Sequence, residues 1–440
     1  MSYEMIALFM FASMMLMLFT GQRVFGAIGA IGAVSALALW GVGGSDIAFA
    51  SAMKLMKWYP LLTLPMFIFM GYVLSESKIA DDLYKMFHVW MGGVRGGLAI
   101  GTIGLMILIS AMNGLSVAGM AIGATIALPE LLKRGYDKRM VTGVIQAGSS
   151  LGILVPPSVV LVLYAMIARQ PVGQLWLAGI FPGLMMAALF MIYIYVRCRI
   201  QPELGPALSK EERDMPMGEK LRLLRSGLLP LFIFAVMMVP FVNGWTSLVE
   251  SSAVGASTAF LAAVFKGRMT RDVFEVSVRQ TLAISCMFMW IILAALGFGA
   301  VFDGLGAVKA IDNLFTDQLG LNPWMILILM QLSFLIMGTF LDDTAMLVIV
   351  APLYVPLVKV LGFDLIWYGV LYTITTQIAY MTPPFGYNLF LMRAMAPPEI
   401  TLKDIYSSIA PFVAVMTLAL ILVMAFPQIA MWLPNLVYGR

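Results

Sequence analysis

Leu128-Pro129-Glu130-Leu131-Leu132-Lys133-Arg134-Gly135-Tyr136-Asp137, followed after an apolar run by Gly152-Ile153-Leu154-Val155-Pro156-Pro157-Ser158, decides the fold, because its landmarks occur twice. Pro129, Gly135, Asp137 and the pair Pro156-Pro157 recur as Pro356, Gly362, Asp364 and Pro383-Pro384, each 227 positions further on (356 − 129, 384 − 157). The residues between are mostly different apolar ones, so what repeats is backbone punctuation. Each Pro-Pro pair interrupts an apolar segment of about membrane-span length. Proline removes an amide donor and clashes with the preceding turn. Inside a bilayer such a break is tolerated only where the chain is buried in protein or lines a cavity, and in transporters that place is the midplane binding site.

Composition places the whole chain in a membrane. It is 61% hydrophobic and 11% charged, with a mean hydropathy of +0.95. Soluble domains are about 45–50% apolar and about 25% charged. One His and two Cys leave a disulfide framework, a Cys/His zinc site and a c-type haem site without ligands. No basic tract carries interleaved aromatics, which excludes a nucleic-acid partner. The apolar stretch Ile6 to Phe19 has neither a basic n-region nor a small-residue cleavage site, and is expected to be a retained membrane helix.

Apolar segments fall near 4–20, 24–42, 60–75, 140–168, 173–196, 228–243, 246–265, 281–301, 365–394 and 403–426. Two more, 97–132 and 323–358, are too long for one span and carry a polar interruption at the middle. In the first it is Ser110-Ala111-Met112-Asn113-Gly114-Leu115-Ser116, and in the second Gly338-Thr339-Phe340-Leu341-Asp342-Asp343-Thr344. Both read as re-entrant hairpins. With the N-terminus outside, both hairpins re-entrant and every other segment crossing, 21 of the 27 Lys and Arg face the cytoplasm. The six that face outward are Lys54, Lys57, Arg169, Lys309, Lys359 and Arg440. That bias is the positive-inside rule, and it puts both termini in the periplasm. The two halves then have inverted topology.

The expected fold is therefore an all-α polytopic membrane protein: an inverted-topology repeat with two re-entrant helical hairpins and two broken helices. Residues 1–96 would be N-terminal scaffold helices with an interfacial arm, and 97–168 the first half of a transport unit. Residues 169–227 would be a scaffold helix and cytoplasmic linker, and 228–322 scaffold helices with a second arm. Residues 323–394 would be the second half of the transport unit, and 395–440 a C-terminal scaffold helix. The linker 197–225 holds seven Lys/Arg and five Asp/Glu. Segments 77–91, 268–280 and 306–318 read as interfacial helices. Gly26, Gly29 and Gly32 suit close helix packing. Glu250, among Ser247, Ser251 and Ser252, reads as a satisfied packing group or as a contact to another membrane subunit.

The chemistry sits at the breaks. Carbonyls freed near Val155 and Thr382, with nearby hydroxyls, can coordinate a hard cation such as Na+. The half-helices that follow Pro157 and Pro384 aim free N–H groups and positive dipole ends at the same cavity, which favours a carboxylate. Ser110, Asn113 and Ser116 supply neutral oxygens at the first tip, and Gly114 and Gly119 allow close backbone approach. Asp342 and Asp343 are adjacent acids deep in an apolar region, where an ionisable group is by default functional. Gly148-x-Ser150-x-Gly152 matches a hydrolase nucleophile elbow in letters only. That motif needs a strand-turn-helix setting and a His base, and the only His is His88. No enzyme is expected.

These residues also carry a resemblance. The Pro129-to-Lys138 run, Gly152 to Ser158, the Gly338-to-Asp342 tip and Thr382-Pro383-Pro384-Phe385-Gly386-Tyr387-Asn388-Leu389-Phe390 together resemble the large membrane subunit of tripartite ATP-independent periplasmic (TRAP) transporters, over nearly the full length. The resemblance implies an elevator-type secondary transporter of the ion-transporter superfamily that imports an organic acid on a Na+ gradient. It implies Na+ near Ser110, Asn113, Gly152, Val155 and Pro156 in one half and near Gly338, Asp342, Thr382 and Pro383 in the other. Substrate would lie between, near Ser116, Ser158, Thr344, Phe385, Gly386, Tyr387 and Asn388. The implied partners are a small four-helix membrane subunit, expected as a separate chain because the first span starts near Met1, and a periplasmic substrate-binding protein. The alternative is a stand-alone Na+- or H+-coupled carboxylate symporter or antiporter.

Overall fold

The computed structural model describes residues 2–439 except 80–85, 88, 92, 115, 208–215, 314–319, 340–342 and 384–385. At some helix positions, Ser110, Asn113, Asp343 and Thr344 among them, it describes the backbone alone. All regular structure among the described residues is helical. The first half runs α1 (Tyr3–Phe19), α2 (Val24–Ser35, continued by a π-helical turn to Trp40), α3 (Gly44–Met56), α4 (Thr63–Glu76), α5 (Gly97–Asn113), α6 (Ser116–Ile122), α7 (Leu128–Lys133), α8 (Lys138–Ser150), α9 (Val159–Ala168) and α10 (Val172–Ile200). The second runs α11 (Met217–Val242), α12 (Leu248–Phe265), α13 (Arg271–Gly304), α14 (Ala307–Asn313), α15 (Pro323–Gly338), α16 (Asp343–Val360), α17 (Leu365–Tyr380), α18 (Tyr387–Met395), α19 (Leu402–Ala425) and α20 (Gln428–Tyr438).

The repeated landmarks act as one device used twice. Gly135 and Gly362 take φ of +78° and +81°, the left-handed conformation that ends a helix. Two residues later Asp137 accepts from the Arg139 and Met140 amides, and Asp364 from those of Ile366 and Trp367, so each broken helix starts with a carboxylate N-cap. Ahead of Pro129 the helix loosens into a π-turn over Gly123–Ala127, where a proline denies the chain an amide donor.

Both long segments double back. A Cβ on Gly123 would touch Met106 Cε at 2.8 Å, which sets the second arm of the first hairpin beside the first. In the second hairpin Phe334 packs on Tyr354 with ring centroids 5.0 Å apart, and the Ser333 and Tyr354 hydroxyls meet at 2.6 Å. The hairpins lie on the broken helices: α5 and α6 on α8, α15 on α17, and α16 on α9. Helices α10 and α19 cross between halves, α10 packing on α17 and α19 on α8. Around this centre lie α2, α4, α11, α12 and α13. Gly32 lets α2 approach the Phe298 backbone of α13, as its small-residue pattern predicts.

Among the described residues, five helices are long and apolar enough to cross a membrane: Tyr59–Glu76, Val172–Ile200, Leu248–Phe265, Arg271–Gly304 and Leu402–Ala425. Loops assigned to one side of the membrane are neighbours. Arg268 donates to the Lys78 carbonyl at 2.8 Å, Lys138 pairs with Asp404 at 2.7 Å, and the Asp137 amide meets the Leu204 carbonyl at 3.2 Å. At the other end Tyr164 donates to the Leu365 carbonyl at 2.8 Å, and the Tyr3 ring lies against Gly306.

The structure departs from the sequence reading in places. Segment 268–280 is no separate interfacial helix: α13 runs unbroken for 34 residues, because no Gly or Pro interrupts it before Gly297. Segment 306–318 is helical over Ala307–Asn313, with 314–319 outside the described residues, as are 80–85 and His88 of the 77–91 arm. Helices α3 and α20 were not expected. Glu250 caps its own helix: its carboxylate accepts from the Ser247 amide at 2.6 Å while Ser247 Oγ accepts from the Glu250 amide.

Candidate functional site

In the first half, α8 ends at Ser150, a short 3-10 turn spans Leu151–Ile153, and α9 begins after Ser158. Pro156 and Pro157 cannot donate to the carbonyls of Gly152 and Ile153, their helical partners. The Ser158 hydroxyl takes over Ile153, which leaves the Gly152 carbonyl without its helical donor. Ser158 also caps α9 by accepting from the Leu161 amide at 3.1 Å, and its carbonyl accepts from Trp176 Nε1 at 3.3 Å. The first hairpin tip rests directly on this break. The Val159 amide donates to the Gly114 carbonyl at 3.2 Å, and Gly114, at φ +64°, lies so close that a Cβ would overlap the Pro157 carbonyl oxygen. Helix α10 closes the back: a Cβ on Gly179 would lie 2.5 Å from the Leu154 carbonyl oxygen, and one on Gly183 2.7 Å from Val155.

The second half repeats the contact with other side chains. The Gly386 amide donates to the Thr339 carbonyl on the second tip at 3.2 Å; the donor is the counterpart of Val159 (386 − 159 = 227), while the acceptor stands two residues before the position equivalent to Gly114 (114 + 227 = 341). Gly386 takes φ +41° with the Tyr380 carbonyl oxygen 2.8 Å from where a Cβ would sit. Gly338 faces Ala379 of α17. Thr382 donates to the Ile378 carbonyl at 2.6 Å, and the Tyr387 ring lies 5.8 Å from that of Tyr380.

Two side-chain bonds tie the half-sites together. Gln377 Nε2 donates to the Ser150 carbonyl at 2.7 Å. The two residues are 227 apart and are therefore each other's repeat equivalents, meeting on the pseudo-two-fold axis. Ser116 donates to Asn388 Oδ1 at 3.0 Å. Gln377, Asn388 and Ser150 are fully buried. Gln377 Oε1 and Asn388 Nδ2 have no partner among the described residues.

Of the expected Na+ residues, Gly152, Val155 and Pro156 sit at the first break and Gly338, Thr382 and Pro383 at the second. Ser110 and Asn113 lie in the last turn of α5, their side chains not described, and Asp342 lies outside the described residues. Of the expected substrate residues, Ser116, Ser158, Gly386 and Asn388 are buried at the breaks and tips, and Tyr387 is exposed. Thr344 lies in the first turn of α16 with only its backbone described, and Phe385 lies outside the described residues. Gln377 was missed as a site residue, although its place 227 beyond Ser150 and six residues before Pro383 was a readable signal.

Among the described residues the breaks offer neutral oxygens: the Gly152 carbonyl, which lacks its helical donor, and side-chain hydroxyls and amides. Among the described residues, which do not include Asp342, no group of three or more His, Cys, Asp or Glu that could hold a metal ion occurs.

Residues 11–429 match the family described as "Tripartite ATP-independent periplasmic transporter, DctM component". The chain belongs to this family. It is 30% identical over 380 residues, 86% of each chain, to the C4-dicarboxylate TRAP transporter large permease protein DctM of Pseudomonas aeruginosa. To the ectoine TRAP transporter large permease protein TeaC of Halomonas elongata it is 27% identical over 405 residues, 90% of this chain and 91% of that one. The fold is shared with the YdaH transporter of Alcanivorax borkumensis, with a TM-score of 0.61 at 14% identity over 88% of this chain and 90% of that one. A TRAP large permease is a multi-pass inner-membrane transport protein, and the tripartite arrangement implies a periplasmic binding protein and a small permease subunit as partners.

Proposed function

We propose that this TRAP large permease imports an organic acid into the cytoplasm on the Na+ gradient, receiving it from its periplasmic binding protein. The observation that supports this most is the doubled contact of hairpin tip and proline break, Val159 to Gly114 and Gly386 to Thr339. It seats a hairpin tip on the proline break of each half, beside the Gly152 carbonyl that lacks its helical donor in the first, the arrangement in which broken transporter helices hold a coupling cation. Na+ would bind near Ser110, Asn113, Gly152, Val155 and Pro156, and again near Gly338, Asp342, Thr382 and Pro383. The acid would lie between, with the unpartnered Asn388 Nδ2 and the N-terminus of α18 as donors and Ser158, Thr344, Phe385 and Tyr387 nearby. C4-dicarboxylates and ectoine, named for the relatives, are the first candidates.

The unit that moves, in an elevator motion, comprises α5–α9 and α15–α18. We add α10 and α19, which the sequence reading left in the scaffold, because α10 is seated on the first break through Gly179 and Gly183. The remaining helices would stay fixed, enlarged by a four-helix small subunit, with both termini periplasmic. Uptake into proteoliposomes holding this chain and its small subunit, with binding protein and an inward Na+ gradient each present or absent, tests the proposal. Uptake that needs both supports it. Uptake of free acid without binding protein points to the stand-alone symporter, and Na+-independent uptake refutes the coupling.

A further inference from the structure

Ser116 opens α6, two residues past the tip glycine Gly114. Asn388 lies in the first turn of α18, two residues past Gly386. Their side chains bond at 3.0 Å across 272 residues of sequence, at 4% and 0% exposure. Short steps of chain extend the connection on both sides. From the first break it runs Val159 to Gly114, along the tip to Ser116, across to Asn388, back to Gly386 and on to Thr339 of the second tip. Each link is a hydrogen bond or two residues of backbone. The Ser116 hydroxyl has one proton and gives it to Asn388, so it has none to give a carboxylate. A buried amide is costly to leave half-paired, and Asn388 already has an unpartnered Nδ2. Its orientation therefore depends on Ser116.

We propose that the Ser116–Asn388 hydrogen bond transmits the ordering of the first hairpin tip to the second half-site, Ser116 being a positioning residue that acts through Asn388. The inference rests on the proposed Na+ sites. Ion binding that orders the first tip fixes the Asn388 amide, and whatever orders the second half-site steadies the first tip in return, because coupling is reciprocal.

The test uses the purified permease with its small subunit as wild type, Ser116→Ala, Asn388→Ala, the double variant and Ser116→Thr. The first readout is the Na+ concentration giving half-maximal thermal stabilisation, with choline as the control cation. Each alanine variant should raise it about fivefold, the worth of one neutral buried hydrogen bond, while the double variant rises no further and Ser116→Thr stays near wild type. An unchanged midpoint, or a double effect near the product of about 25-fold expected for independent sites, overturns the proposal. The second readout, amide hydrogen exchange in the 110–120 peptide, needs no Na+. Asn388→Ala should speed exchange there, and unchanged exchange overturns the bridge. If wild type shows no Na+-specific stabilisation, the ion reading fails and the exchange result alone decides the bridge.

Discussion

Gly114→Ala is the sharpest perturbation available at the site, and Gly362→Ala is its internal control. Both glycines hold a left-handed φ, +64° and +81°, so each alanine carries a backbone cost of about 1–2 kcal/mol. The surroundings differ. Nothing lies within 4 Å of a Cβ on Gly362, whereas a Cβ on Gly114 overlaps the Pro157 carbonyl oxygen and comes within 3.2 Å of the Val159 amide. The tip must lift off the break, which adds about 1–3 kcal/mol of overpacking and loses the Val159–Gly114 bond, worth about 1 kcal/mol. The excess over the control is thus about 2–4 kcal/mol. At about 1.4 kcal/mol per factor of ten, the population with the tip seated falls about 30-fold or more. Uptake into proteoliposomes, normalised to inserted protein, should fall by at least about tenfold for Gly114→Ala and by less than about twofold for Gly362→Ala. Equal uptake by the two variants would refute the view that the seated tip is the transport-competent one.

Asp342→Ala should abolish Na+-dependent uptake while the protein still inserts; normal uptake would remove the acid from the second ion site. Gly179→Val drives a branched side chain into the Leu154 carbonyl and Leu161, so it should cost about 1–3 kcal/mol of stability and slow uptake, and a wild-type melting curve would refute the close seat of α10. Gln377→Leu leaves the Ser150 carbonyl without its cross-axis donor and should destabilise the permease by about 1–3 kcal/mol in thermal unfolding; a loss below about 0.5 kcal/mol would show that the bond holds little.

What was legible in the sequence was backbone punctuation, because its rules are local. A glycine at positive φ, an aspartate two residues later and a proline pair each force a conformation whatever surrounds them, so Gly135, Asp137 and Pro156-Pro157 announced their structure and the second copy confirmed the reading. Cross-half bonds are not local. Nothing near Gln377 in sequence says that its amide reaches Ser150, and nothing near Ser116 points to Asn388; only the folded pseudo-symmetry brings them together. Helix α3, with Asp46, Ser51 and Lys54 in thirteen residues, is too polar and too short to register as a span. Its repeat counterpart, the first part of α13 by the same 227 offset, was equally masked by its charges. Glu250 is a satisfied group, one of its two expected readings, but it is satisfied at a helix end. Ser247-x-x-Glu250 is a capping-box signature, but its apolar surroundings drew attention to the membrane rather than to the helix end.

The two breaks share a backbone but differ in exposure, and that difference can be measured. Ser158 is fully buried, engaged through its hydroxyl in Ile153 and Leu161 and through its carbonyl in Trp176. At the second break Pro383 is exposed, Tyr387 is 38% exposed and α18 starts without a side-chain cap. Solvent or lipid therefore reaches the second half-site first in this conformation. In a background with the exposed Cys286 replaced and the buried Cys198 retained, Tyr387→Cys should react with a water-soluble maleimide much faster than Ser158→Cys. If Na+ and the acid bind between the tips, adding both should slow the reaction at 387. Equal rates at 387 and 158 would mean that the asymmetry of the two breaks has no bearing on access, and that the conformation described here is not one the permease dwells in.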